Sequence, residues 1–152
     1  MADRQQFTIL KEGTAAWNYR RERNPSLQID LSGIDLPMTD LSAATPVSAS
    51  SEFDPFSVQG INLSKAYLIV ADFRYASLES ADFSYADLRN SHLSNANLCG
   101  CDFRGANFSG ANFHNADFSY ATTLRGINLQ NANFSNANLR TALQLHFPID
   151  RF

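Results

Sequence analysis

Two cysteines and three histidines are the side chains of this chain whose chemistry could serve a metal or a redox site. Cys99 and Cys101 form a Cys-x-Cys pair inside a five-residue repeat, in which Cys101 takes an inward position and Cys99 points outward. A disulfide between them would therefore be strained. A metal site would need further ligands at suitable spacing, and the sequence has none. We expect Cys101 to be a small core residue and neither cysteine to bind metal.

The histidines form no catalytic constellation in the sequence. We expect His92, His114 and His146 to lie on different faces or in the tail, with His92 in a ladder position that Asp or Asn holds elsewhere. The recurring Asp and Asn residues could suggest a metal site, but short polar side chains at turns usually bond nearby backbone. No phosphate-binding loop or nucleophile elbow occurs. The sequence thus predicts no catalytic residue, no cofactor and no metal, and a protein that is not an enzyme.

The element that must position these side chains is a repeat of five residues. Leu or Phe recurs at every fifth position, and a small residue precedes nearly all of them by two; the positions are Leu63, Leu68, Phe73, Leu78, Phe83, Leu88, Leu93, Leu98, Phe103, Phe108, Phe113 and Phe118. After a shift of one residue at Thr122–Thr123, the period resumes at Leu124, Leu129, Phe134 and Leu139. A period of five matches neither a strand nor a helix, so the chain must turn regularly. Stacked turns with an apolar interior are typical of a solenoid.

Sixteen such units follow one another from Ile61 to Thr141, among them A-D-F-S-Y, A-D-L-R-N, A-N-L-C-G, A-N-F-S-G and A-N-F-H-N. They resemble the units of the pentapeptide-repeat family, written A-(D/N)-L-x-x. The resemblance implies an all-β solenoid, a right-handed quadrilateral β-helix with four repeats per coil and hence about four coils. It further implies four stacked inward columns, which begin with Leu63, Leu68, Phe73 and Leu78.

The other segments are expected to close or to interrupt this solenoid. Apolar residues at helical spacing in the first segment predict a short α-helical N-terminal cap, built as one bent helix or two short helices. Gly13 is expected to end the first helix, and Thr14 to be the N-cap of the second. The predicted segments are the helical cap 1–28, the first partial repeats 29–41, an inserted loop 42–60, the β-helix 61–141 and a C-terminal cap 142–152.

An apolar cluster on the first full coil is a candidate partner surface. Outward positions there hold Ile69 and Val70, flanked by Tyr67 and Tyr75, where other repeats mostly carry polar residues or glycine. The inserted loop contributes Phe53 and Phe56. Exposed apolar clusters usually mark a contact. Two interpretations stay open: the phenylalanines of the loop cover Ile69 and Val70, or the cluster binds a partner protein.

Charge bears on the best-known function of the resembled family. Its quinolone-resistance members protect gyrase and resemble duplex DNA, as long and strongly acidic rods. Within Ile61–Thr141 six acidic and six basic residues cancel, which imitates a row of phosphates poorly. Arg104 and Arg125 would stack on one face as a positive spot for a phosphate or an acidic partner. Direct nucleic-acid binding is not expected, because the whole chain has a net charge of −3.

The tail and the absence of long apolar segments set the remaining expectations. Residues 142–152 keep apolar side chains without the period, which favours a C-terminal cap or, as the alternative, a homodimer through the C-terminal end. No apolar run is long enough to span a membrane, and the first residues lack an apolar signal segment. We therefore expect no membrane contact and a cytoplasmic location. The resemblance favours a bacterial, and specifically a cyanobacterial, source.

Taken together, the residues and the resemblance predict a non-enzymatic protein-interaction or scaffold module whose protein partner the sequence does not name. The first alternative is a DNA-mimicking inhibitor or protector of DNA gyrase or another topoisomerase. The second alternative is a purely structural stabiliser.

Overall fold

The computed structural model describes residues 4–36, 39, 41, 60–120, 124 and 126–140 of the 152-residue chain. Two α-helices come first, α1 at Arg4–Lys11 and α2 at Thr14–Arg23. The β-structure of the described residues consists of isolated parallel bridges between successive turns of the chain. The chain therefore turns after each short extended segment instead of continuing as a long strand.

Each repeat turns at the second residue after its Leu or Phe, where the backbone adopts the left-handed conformation. Non-glycine residues at these corners have φ between 56° and 60°, and Gly100 and Gly110 have φ of 71°. Asn and Gly tolerate this region better than most residues, and Asn95, Asn115 and Asn136 also occupy corners. A corner after every fifth residue explains why neither a helix nor a long strand forms.

Backbone pairing shows that four repeats make one coil. Asn62 bridges Asp82 twenty residues on (82 − 62 = 20), whereas Asn107 bridges Asn128 twenty-one residues on (128 − 107 = 21). The extra residue enters with the phase shift before coil 4, at Thr122–Thr123, which lies outside the described residues. We name the faces by their inward columns: face A is Leu63, Phe83, Phe103 and Leu124; face B is Leu68, Leu88, Phe108 and Leu129; face C is Phe73, Leu93, Phe113 and Phe134; face D is Leu78, Leu98, Phe118 and Leu139.

The inward columns form one continuous core. In the first three coils every inward Leu or Phe, and every small residue two positions before it, is at most 1% exposed. Phe83 stacks on Phe103 with ring centroids 5.7 Å apart, and Phe113 stacks on Phe134 at 4.8 Å. Aromatic pairs of this kind contribute about 0.5–1.5 kcal/mol beyond their buried area. The five-residue period thus produces a narrow, closely packed apolar column.

The described residues of the segment 29–41 form a partial coil above the first full coil and cover faces B, C and D. The amides of Leu31, Leu36 and Leu41 donate to the carbonyls of coil 1 at 2.8 Å each. Its bridges have an offset of 37 residues (67 − 30 = 37), seventeen more than one coil. Leu41 pairs with Ser77 on face D, and Gly60 pairs with Ser80 at the corner between faces D and A. Residues 42–59 themselves lie outside the described residues.

Two short helices precede the partial coil, the second of the two predicted forms. The prediction that Thr14 is the N-cap of α2 is wrong. Gly13 is the N-cap with φ 100° and ψ 171°, a backbone conformation that glycine adopts more readily than threonine, and Thr14 is the first helical residue. α2 ends at Arg23 before Asn24-Pro25, because the residue before a proline disfavours the helical conformation.

Candidate interaction surface

The helix α2 contacts the first coil through polar side chains. Trp17 Nε1 donates to the carbonyl of Asn62 at 2.7 Å. The buried Arg21 donates through Nη2 to the carbonyl of Ser64 at 2.6 Å, and burial lowers the pKa of its guanidinium. Face A has no strand of the partial coil above it, so these side chains supply hydrogen bonds that a preceding coil would supply elsewhere.

Gln6 of α1 makes a similar contact on face B. Its Nε2 donates to the carbonyl of Gln28 at 2.9 Å, and its Oε1 accepts from the amide of Asp30 at 2.9 Å. A side-chain amide therefore replaces the donor and acceptor of a neighbouring strand. Sequence reasoning missed this role of Gln6 and Arg21. Each is a polar residue on the same helical face as apolar residues, and this pattern could have indicated a buried hydrogen-bonding role.

The recurring Asp and Asn side chains bond the backbone of their own repeat, as the sequence predicted. In each case Oδ1 accepts from the amide two residues on, at 2.8–3.3 Å; the acceptors are Asp30, Asn62, Asp72, Asp82, Asp87, Asn97, Asp102, Asn107, Asn112, Asp117, Asn128, Asn133 and Asn138. These oxygens stabilise turns. No cluster of three or more metal-ligating side chains occurs in the described part of the chain.

Three arginines pair with the aspartate of their own repeat. The pairs are Asp72–Arg74, Asp87–Arg89 and Asp102–Arg104, with N–O distances of 2.6, 2.8 and 2.6 Å. Hydrogen bonds from the Arg74 guanidinium are the main reason that the pKa of Asp72 is lowered. The arginine side chains remain about half exposed. Charge is therefore cancelled within each of these repeats, and they build no extended acidic row.

The predicted positive spot is only half described. Arg104 lies on face A, and its Nε and Nη2 donate to the carboxylate of Asp102 at 2.8 and 2.6 Å. Arg125 lies outside the described residues. Because Asp102 already balances Arg104, this arginine adds little net positive charge to face A.

The apolar cluster of coil 1 is divided between two corners. Tyr67 and Ile69 point outward from one segment on face B, and Val70 follows at the corner between faces B and C. Tyr75 lies at the next corner, between faces C and D, beyond the Asp72–Arg74 pair. Ile69 is half-buried, whereas Val70 and Tyr75 are exposed. The structure thus groups Ile69 and Val70 with Tyr67 and sets Tyr75 apart.

Besides Arg125, two predicted surface residues lie outside the described part of the chain, and two exposed tyrosines were not predicted. Phe53 and Phe56 lie outside the described residues, so neither interpretation of the inserted loop is decided. Tyr85 and Tyr120 are exposed tyrosines that the sequence reasoning did not single out. The five-residue register could have found them, because they occupy the same corner position as Tyr75.

The two cysteines are not joined in a disulfide and point in different directions. Cys101 is fully buried, its Sγ–H donates to the carbonyl of Leu78 at 3.0 Å, and burial raises the pKa of its thiol. Cys99 is half-buried. The predicted roles of Cys101 as a core residue and of Cys99 as an outward residue are confirmed.

The prediction that the histidines lie on different faces is wrong for two of them. His92 bridges Asn112 of the next coil, and His114 follows Asn112 by two residues. Both therefore lie on face C, because twenty-two residues are one coil plus two positions. His114 Nδ1 is hydrogen-bonded to Ser135 Oγ at 2.8 Å. His146 lies outside the described residues.

Neither described helix has the length and apolar character needed to cross a bilayer. The sequence profile of pentapeptide repeats matches the chain in eight copies, over residues 57–87, 81–119 and 120–142. These ranges cover more than half of the chain. No curated protein matches it.

Several solved structures are similar to this one. A pentapeptide repeat protein of the Arabidopsis thaliana thylakoid lumen is 30% identical with a TM-score of 0.58; the match covers 71% of this chain and 63% of that protein. A pentapeptide repeat protein of the cyanobacterium Cyanothece 51142 is 26% identical, with coverages of 82% and 93% and a TM-score of 0.41. QnrB1, a plasmid-mediated fluoroquinolone resistance protein, is 23% identical, with coverages of 76% and 56% and a TM-score of 0.41.

Proposed function

The chain belongs to the pentapeptide-repeat family, and on that premise we propose that it is a non-enzymatic protein-interaction or scaffold module. It presents a rigid β-helix surface to a protein partner. We take the β-helix to be right-handed and quadrilateral with about four coils. In this proposal α1 and α2 form the N-terminal cap, and residues 142–152 form the C-terminal cap.

One observation carries this proposal: the recurring Asp and Asn side chains and three of the arginines are engaged within their own repeats. Asp and Asn oxygens accept backbone amides two residues on, and three arginines pair with the aspartate of the same repeat. What such a surface has available for recognition is its regular shape and the positions that depart from the repeat. Recognition by a folded or extended protein segment uses these features.

We propose that the partner surface includes the residues predicted from the sequence. These are Phe53, Phe56, Ile69, Val70, Tyr75, Arg104 and Arg125. Exposure of Val70 and Tyr75 supports the apolar part. The pairing of Arg104 with Asp102 makes the basic part the weaker component.

Affinity capture tests the scaffold proposal. The tagged protein is used as bait in lysate of the source cells, beside a variant in which residues 42–60 are replaced by a short Gly-Ser linker. We expect one protein to be recovered at a stoichiometric level with the full chain. If no protein is recovered with either bait, the purely structural alternative replaces this proposal.

The expected cytoplasmic location is tested by fractionating the same cells and probing each fraction for the protein.

Inhibition of a topoisomerase by DNA mimicry is the alternative that the surface supports least. A DNA mimic needs closely spaced negative charges, whereas Asp72, Asp87 and Asp102 are each balanced by an arginine. We expect no inhibition and no protection in a gyrase supercoiling assay at large molar excess of the protein. Dose-dependent inhibition would instead favour mimicry.

The other interaction that we propose to test is self-association of two copies of the chain through the C-terminal end. Leu139 of the last described coil is 38% exposed, whereas the corresponding Phe118 of coil 3 is 1% exposed. Exposed apolar side chains at the end of a solenoid favour a cap or a second copy. Multi-angle light scattering of the full chain distinguishes a monomer capped by residues 142–152 from a homodimer.

A further inference from the structure

One repeat of coil 1 departs from every other repeat on face B. Residues 66–70 read Ala-Tyr-Leu-Ile-Val, and the repeat directly below, residues 86–90, reads Ala-Asp-Leu-Arg-Asn. Tyr67 therefore stands above Asp87, and Ile69 above Arg89. The outward side chains of this repeat, together with Lys65 at the preceding corner, define what we call the face-B strip: Lys65, Tyr67, Ile69 and Val70.

The backbone at Val70 is strained. Its φ is 58°, in the left-handed region, where a β-branched side chain is a genuine outlier. It is the only β-branched residue among the described non-glycine corners, whose other members are Lys, Tyr, Ser and Asn. The side chain is 52% exposed, so burial in the core does not offset the strain. Strain of this kind persists mainly at positions with a function.

The same repeat also lacks its turn bond. In neighbouring repeats an Asp or Asn oxygen accepts the amide two residues on, as Asp87 does for Arg89. Tyr67 has no such oxygen, and the amide of Ile69 has no acceptor within the described residues. Tyr67 is 46% exposed. This repeat therefore departs from the others twice, by a β-branched residue at its corner and by the missing turn bond. Both departures place apolar side chains on the outside of the coil, at Tyr67, Ile69 and Val70. Such a local conflict with the fold is expected at a binding surface.

Charge around the strip favours an acidic partner. Lys65 is exposed and makes no ion pair with any residue that the structure describes. Of the two acidic residues that bridge Tyr67, Asp87 pairs with Arg89, whereas Asp30 accepts the amide of Ser32 and keeps its own charge. Lys65 is therefore the cation of the strip with which a carboxylate of a partner can pair.

The size of the strip favours an extended segment over a second copy of this chain. Three side chains supply a few hundred Å² of contact at most, on the order of a single surface patch. A stable dimer buries roughly 1,200–2,000 Å². The strip also follows one line of backbone, and six residues of extended chain span at most about 20 Å.

We infer that the face-B strip binds an extended segment of a partner protein that carries apolar side chains next to an acidic residue. This inference rests on the proposed scaffold function and specifies its binding face. The apolar side chains of the segment contact Tyr67, Ile69 and Val70, and its carboxylate pairs with Lys65.

A variant that restores the regular repeat at residues 66–70 tests this inference. Tyr67→Asp, Ile69→Arg and Val70→Asn together copy the repeat of residues 86–90 into coil 1. The probe is a phage-displayed library of short random peptides selected on the full chain. We expect enriched peptides that combine apolar and acidic residues, and binding to the triple variant weaker by at least about tenfold. The variant should also unfold at a higher temperature than the wild type, because it regains the turn bond and loses the strain.

Two matched variants make the result specific. Tyr120→Asn removes an exposed tyrosine from a corner of coil 3, outside both the strip and the proposed partner surface, and should leave peptide binding unchanged. Lys65→Glu should reverse the charge preference, so that selection on it enriches basic peptides in place of acidic ones. Unchanged binding by the triple variant, or an unchanged acidic preference with Lys65→Glu, overturns the inference.

The same variants would give different results if the face-B strip bound something other than an extended segment of a partner protein. Dimerisation of the wild type that the triple variant abolishes would assign the strip to a second copy and overturn the inference. A gain in peptide affinity on deletion of residues 43–59 would assign it to the inserted segment and likewise overturn it. If the triple variant still captures the cellular partner of the wild type, the scaffold function stands and this binding face is wrong. If no partner is captured even by the wild type, the scaffold function itself fails.

Discussion

The side-chain amide of Asn18 pairs with the backbone around Asn62 as a strand would. Asn18 Oδ1 accepts the amide of Asn62 at 2.8 Å, while Nδ2 donates to the carbonyl of Gly60 at 2.9 Å. Both backbone groups belong to the first segment of coil 1, which has no segment of the partial coil above it. One side chain of α2 thus satisfies a backbone edge that would otherwise be open to another strand.

Replacement of Asn18 should destabilise the protein. Asn18→Ala leaves the Asn62 amide and the Gly60 carbonyl without their partner, at a cost of about 1–3 kcal/mol in the free energy of unfolding. Asn18→Asp keeps the acceptor but places a carboxylate against the Gly60 carbonyl, so it should not rescue stability. Urea denaturation measures both variants. Glu22→Ala, an exposed site on the same helix, is the control and should change stability by less than about 0.5 kcal/mol. Equal stability of Asn18→Ala and the control would contradict this role.

Ser91 places a polar hydroxyl in the apolar core. It occupies the inward small position between Ala71 and Ala111, is fully buried, and its Oγ has no hydrogen-bond partner among the described residues. A buried hydroxyl without a partner costs about 1–3 kcal/mol. Ser91→Ala should therefore raise the midpoint of urea denaturation. The reverse change, Ala71→Ser, should lower it by a similar amount; a loss of stability in Ser91→Ala would show that Oγ has a partner in solution.

Gly60 is required by close backbone packing. A Cβ at this position would overlap the carbonyl group of Ser80 and the amide nitrogen of Ala81, which are backbone atoms that cannot rotate away. Gly60→Ala should therefore either prevent folding or lower thermal stability strongly. Gly33→Ala is the matched control, since its Cβ would meet nothing within 4 Å and only its φ of 71° is unfavourable. We expect about 1–2 kcal/mol for the control and a larger loss for Gly60→Ala, measured by circular dichroism; similar losses would refute the packing argument.

The Asp72–Arg74 pair should make stability sensitive to acid. The pKa of Asp72 is lowered in the folded protein, chiefly by hydrogen bonds from Arg74, so its contribution is fully present above the unfolded value of about 3.9. It is lost as the pH falls through the lower folded pKa. Asp72→Asn keeps an Oδ1 acceptor for the turn and removes the ion pair. The stability difference between wild type and variant should therefore shrink below about pH 4. A constant difference from pH 7 to pH 2 would contradict this assignment.

Sequence alone predicted those features of the candidate surface that depend on one repeat. The outward positions of Ile69 and Val70, the inward position of Cys101 and the turn bonds of Asp and Asn follow from local register. It did not predict that Asp102 neutralises Arg104, because the rotamer of a long side chain decides that pairing. Nor did it group His92 with His114 on face C, because the two histidines occupy different positions of repeats that lie one coil apart.

The sequence by itself determined the period, and with it the corners, the inward columns and the balance of acidic and basic residues over residues 61–141. These properties need only neighbouring residues, because each corner and each turn bond closes within five residues. The tertiary structure decided which segments meet across the insertion and which side chains complete face A. Asn18 and Asn62 are forty-four residues apart, and only closure of the coil places the free edge of coil 1 against α2. The backbone strain at Val70 likewise follows from stacking, since the coils above and below hold its corner in the left-handed conformation.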